Sequence, residues 1–137
     1  MLHQALFALI MIFSSSHSSA YAHRMGANYR QLNVIDSQIT SLQMQVPRNS
    51  TMLDRIFSAD VRAINVMQRQ DRSAPAAYAA HDRLFHAGTN DMKAAIGEIR
   101  SAFDGSSRAA ARTAFKHYAA ARATFKHARG CARPNSC

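Results

Sequence analysis

The sequence predicts an all-α protein: an up-down-up-down antiparallel four-helix bundle behind an N-terminal signal peptide. Three observations carry this. Apolar residues recur at helical spacing in four separate stretches. Proline, glycine or capping residues bound those stretches. No run of valine, isoleucine and threonine alternates with polar residues as a strand would.

The chain opens with an unbroken apolar run from Ala5 to Phe13, then a polar, serine-rich stretch from Ser14 to Ser19. Ala20-Tyr21-Ala22 supplies the small-x-small step that signal peptidase reads, so cleavage is expected after Ala22 and the mature chain at His23. The apolar run is too short to cross a bilayer, which takes about 20 residues. Residues 1–22 are therefore read as a leader, 23–130 as the bundle and 131–137 as a short tail. The expected compartment is the periplasm, with no transmembrane span in the mature chain.

The first helix of the bundle carries Met25, Leu32, Ile35, Ile39 and Leu42 on one face, and Pro47 lies just beyond its expected end. A second begins near Asn49, Ser50 and Thr51 and buries Leu53, Ile56, Phe57, Ile64 and Met67. Asp60 falls inside that stripe, which predicts a buried salt bridge or a gap facing solvent. Ser73-Ala74-Pro75 reads as the cap and first turn of a third helix, whose apolar side holds Tyr78, Phe85, Met92, Ile96, Ile99 and Phe103. Asp104-Gly105-Ser106-Ser107 stops it and caps the next. The fourth runs from about Arg108 to Arg129, with Ala111, Ala114, Phe115, Tyr118, Ala121 and Phe125 inward and Gly130 and Pro134 at its end. Short connections make consecutive helices antiparallel neighbours.

Charge is distributed unevenly. The formal net charge is +9, and no acidic residue follows Asp104, while Arg108, Arg112, Lys116, Arg122, Lys126, Arg129 and Arg133 do. So one-sided a field favours an acidic partner, an anionic surface or a negatively charged ligand. Nucleic acid is not the expected partner: there is no zinc-ligand spacing and no aromatic–glycine RNA signature. Cys131 and Cys137, the two cysteines, can close a small disulfide loop in an oxidising compartment.

Enzymatic chemistry finds little footing. Eight acidic residues are scattered along the chain, no Glu-x-x-His step builds a di-metal site, and no glycine-rich loop follows a strand. No serine or cysteine has an identifiable base. A non-enzymatic role is expected.

Two longer stretches and a final turn carry a family resemblance. Met25-Gly-Ala-Asn-Tyr-Arg-Gln-Leu32-Asn-Val-Ile35 is similar to the first helix of soluble cytochrome b562. Asp91-Met92-Lys93-Ala-Ala-Ile96-Gly-Glu98-Ile99 with Phe103-Asp-Gly105 is similar to its third helix and following turn. Arg122-Ala-Thr-Phe125-Lys-His127 resembles its final turn. The resemblance implies non-covalent haem b at one end of the bundle and electron transfer to a redox partner; a monomer is expected. It implies Met25 and His127 as axial iron ligands, a pair that raises the reduction potential. Phe85 would lie against the haem, and Arg122, with Lys126 and Arg129, would hold its propionates.

Helical geometry turns His127 roughly 200° from Phe125, so His81, one turn before Phe85 on the inward stripe, stands as a substitute ligand. Its alternative role is that of a hydrogen-bonded core histidine. The alternative function is a haem-free periplasmic bundle that binds or interacts through its basic fourth helix.

Overall fold

In the computed structural model, which describes residues 2–44, 50–70 and 74–137, the described residues form four helices and no strand. Helix α1 spans Leu2–Met44, α2 Ser50–Gln70, α3 Ala79–Asp104 and α4 Arg108–Gly130, with one 3-10 turn, Ala76–Tyr78, ahead of α3. The expected stop at Pro47 and the caps at Asn49 and Ser73 lie outside the described residues. Helix α1 continues through Ala20–His23 without a break.

The helices are antiparallel neighbours. Asn33 and Thr40 of α1 meet Arg129 and Arg122 of α4 in reverse order. Asp54 and Gln68 of α2 meet Arg100 and Thr89 of α3 in the same reversed sense. The stripes read from sequence are the faces that close the core. Ile35 and Ile39 of α1, Phe57 and Ile64 of α2, Phe85, Met92, Ile96 and Ile99 of α3, and Ala114, Tyr118 and Ala121 of α4 are all buried. Each large apolar side chain among them stabilises the fold by about 1.5–3 kcal/mol.

Three local details differ from the expectation. Pro75 does not begin α3. Its extended backbone opens the 3-10 turn, in which the Tyr78 amide donates to the Pro75 carbonyl at 2.8 Å, and α3 starts only at Ala79. At the other end of α3, Gly105 keeps a right-handed conformation (φ −84°), and it is Ser106 that takes the left-handed one (φ 53°). Ser107 then caps α4 by accepting from the Ala110 amide at 3.1 Å. Asp60, finally, is buried without a salt bridge among the described residues. The Gln38 side-chain amide, turned to donate, gives its carboxylate hydrogen bonds of 2.7 and 3.2 Å. Burial pushes the Asp60 pKa up to about 6.

The backbones of α3 and α4 lie closest, and α1 stands farther from α4. Gly88 explains the close approach. A Cβ there would sit 3.0 Å from the Phe125 ring, so glycine lets that ring lie close against α3. Between α1 and α4, by contrast, long side chains bridge an open seam.

Candidate functional site

The α1/α4 seam combines core residues with polar side chains that reach from one helix to the other. Asp36 is its organiser. The Tyr118 hydroxyl donates to Asp36 Oδ1 at 2.9 Å, and Arg122 Nε reaches the same oxygen at 2.9 Å. Arg122 also donates to Thr40 at 3.0 Å and lies over the Tyr118 ring, 5.5 Å from its centroid. Burial, with Asp36 alongside, holds the Tyr118 phenol well above its ordinary pKa, so it remains a donor.

One and two turns further along α4, the seam opens into a crevice of 350 Å³. Its apolar floor is Leu32, Met92, Phe125 and the Tyr29 ring; Arg122, Lys126 and Arg129 edge it, with Asn33 and Asp36 opposite. Three cations against one carboxylate leave the crevice positive. Arg129 is held in place: it donates to Asn33 at 2.9 Å and stacks on Tyr29, 4.7 Å from the ring centroid. Lys126 is exposed and has no ion-pair partner among the described residues. On the far side of the Arg122–Asp36 clasp lies a second, shallower hollow of 740 Å³, edged by Arg108, Arg112 and Lys116. The basic run of α4 therefore follows the seam along most of its length.

Behind the crevice wall sits a buried polar network. His81 is fully buried on α3. Its Nδ1 meets the Tyr21 hydroxyl at 2.8 Å, and its Nε2 meets the Tyr29 hydroxyl at 2.6 Å. A neutral imidazole offers one donor and one acceptor, so one tyrosine donates to it and the other accepts from it. Burial lowers the His81 pKa, partly offset by Asp82, which keeps the ring neutral. Burial raises the Tyr29 pKa, partly offset by Arg129. The His81 ring stacks on Phe85 (5.9 Å), which in turn meets Phe125 edge-on (5.7 Å).

The residues expected to hold haem are not gathered around one slot. Met25 is a core residue, 4% exposed. His127 is exposed, with one ring nitrogen within 4.8 Å of the sulfurs of the Cys131–Cys137 disulfide. Both nitrogens of His81 are taken by tyrosine hydroxyls. Phe85 is buried behind the crevice, and Arg122 lines it. An iron porphyrin needs an axial donor aimed into its slot. No histidine lines the crevice; its one sulfur donor is Met92. This arrangement does not fit haem ligated through Met25 and His127.

Sequence reasoning missed Tyr29, Asn33 and Asp36. Tyr29 was legible in principle, since Met25, Tyr29 and Leu32 stand at helical spacing on one side of α1. Asp36 was not, because its role depends on the register of α1 against α4.

No protein-family model, curated protein or solved structure matches this chain. Its function has to be read from its own geometry.

Proposed function

We propose that the protein is an exported, non-enzymatic binding protein whose α1/α4 crevice takes a small anionic amphiphile. The observation that carries this is the pairing of an apolar floor with a cationic edge in one 350 Å³ crevice. Ligand sites between bundle helices fall in this size range and combine apolar walls with a few fixed polar groups. Arg122 and Arg129 are held by Asp36, Asn33 and Tyr29. They present their charge with little further loss of side-chain freedom. Lys126, unengaged, supplies the mobile cation that meets an acidic headgroup. The apolar body of the ligand would cover Leu32, Met92 and Phe125.

The test is a calorimetric titration with decanoate, decanol and decylamine. Decanoate is expected to bind at one site, decanol more weakly and decylamine not at all, with decanoate affinity falling in Lys126→Ala and at high salt. Equal binding of all three would overturn the reading.

Haem is the ligand that the family resemblance names, and it too is an apolar body with acidic groups. Equimolar haemin added to the protein decides that case. A sharp Soret band with resolved α and β bands on reduction would mean a six-coordinate cytochrome. Unaltered free haemin would leave the haem-free reading standing.

A further inference from the structure

We infer that signal peptidase cuts this chain between Ala20 and Tyr21, and that Tyr21, as first residue of the mature protein, closes the buried network around His81. The inference rests on the leader reading and is independent of what the crevice binds.

Two overlapping steps that end in alanine satisfy the peptidase, which asks for small residues at the last and third-last positions of the leader. Ser18-Ser19-Ala20 meets that demand as well as Ala20-Tyr21-Ala22 does. The sequence motif alone does not choose between them; the fold favours the cut that retains Tyr21 in the mature chain. Tyr21 is fully buried, while Ser19, Ala20, Ala22 and His23 around it are exposed. Its ring packs on Tyr78 with centroids 4.8 Å apart, and its hydroxyl meets His81 Nδ1 at 2.8 Å. The buried stripe of α1 continues from Tyr21 to Met25 and Leu32 at spacings of four and seven residues.

A cut after Ala22 removes this side chain. It opens a hole the size of a phenol beside Tyr78 and leaves a nitrogen of a fully buried imidazole without its partner. The other nitrogen of that imidazole holds Tyr29, which lines the crevice. The choice of cut therefore reaches the binding wall through one histidine. A cut after Ala20 keeps the network whole.

The experiment is export of the full chain under its own leader from a bacterial host, followed by intact mass and N-terminal sequencing. The expected sequence begins Tyr-Ala-His-Arg-Met. A sequence beginning His-Arg-Met overturns the inference. An unprocessed chain overturns the leader reading itself and leaves the crevice proposal untouched. Two variants separate the sites. Ala22→Lys alters the last leader residue of one site only and is expected to leave the Tyr21 N-terminus intact; Ser18→Lys is expected to abolish it, by stopping processing or moving the cut to Ala22. The opposite pattern sinks the proposal. For the network, Tyr21→Phe in the exported protein is expected to shift the His81 ring nitrogen resonances and speed exchange of its ring proton. Unchanged His81 signals would mean that Tyr21 contributes packing alone.

Discussion

The Tyr118 hydroxyl of α4 donates to the Asp36 carboxylate of α1 at 2.9 Å, and Arg122 approaches the same oxygen at 2.9 Å. One carboxylate thus ties the two helices that flank the crevice. It is also the only carboxylate lining it among the described residues. Stability and anion binding therefore pull on Asp36 in opposite directions. Asp36→Asn is expected to lower stability by about 1.5–3 kcal/mol, the size of a hydrogen bond to a charged group. The same change is expected to tighten decanoate binding about fivefold, roughly 1 kcal/mol. Urea denaturation and calorimetry on one sample check both signs. Tyr118→Phe should reproduce the stability loss without the gain in affinity.

Asp60 gives the fold a pH dependence of unusual sign. Its pKa in the folded chain is raised from 3.8 to about 6 by burial. The folded chain therefore holds this proton to higher pH than the unfolded chain. The contribution is full below pH 3.8, declines as pH rises, and is lost above about 6. The total is roughly 2–3 kcal/mol. Asp60→Asn is expected to remove this slope and to raise stability at pH 7 by about 1–2 kcal/mol, with Gln38 turning its amide to suit. Urea midpoints at pH 4.5 and 7 read both effects.

Two glycines of α3 should respond differently to the same change. A Cβ at Gly97 meets nothing within 4 Å, so Gly97→Ala is expected to gain about 0.5–1 kcal/mol of helix stability. A Cβ at Gly88 meets the Phe125 ring at 3.0 Å. Gly88→Ala forfeits that gain because Phe125 must move, and decanoate affinity should fall with it. Equal stabilisation by both would show the α3–α4 contact to be loose.

The turn into α4 places a left-handed residue beside a glycine that is not left-handed. A non-glycine residue there costs about 1–2 kcal/mol, and glycine loses about 0.5–1 kcal/mol more backbone entropy. Ser106→Gly is therefore expected to stabilise the protein by about 0.5–1 kcal/mol, measured as a shift in the urea midpoint. Gly105→Ala should be tolerated.

Much of the fold was legible because its core is periodic. Ile35, Phe57, Ile96 and Tyr118 each sit on a stripe that only one helical face can bury. Asp60 was visible as an anomaly on its stripe, but its partner was not, since Gln38 is one of several neutral residues on another helix. His127 was legible by elimination: a helix that buries Phe125 turns His127 outward, and it is exposed. The crevice was half-legible. Its cations stand out in the sequence, whereas Asp36, Asn33 and Tyr29 acquire meaning only from the register of α1 against α4. The buried stripe of α1 was read from Met25, because the motif at Ala20–Ala22 drew Tyr21 into the leader.

The contrast between the glycine-tightened α3–α4 contact and the side-chain-bridged α1–α4 seam makes the bundle mechanically lopsided. The close contact of α4 with α3 is expected to make the two move together. Helix α1 meets α4 through Asp36, Asn33 and Tyr29 and its buried stripe packs on the core, so it is the wall expected to yield when something enters. Amide exchange should accordingly run faster along the crevice-facing part of α1 than along α4, and slow on α1 when decanoate is bound. What the crevice admits is then set less by its resting width than by how far that one helix can swing before Arg122 lets go of Asp36.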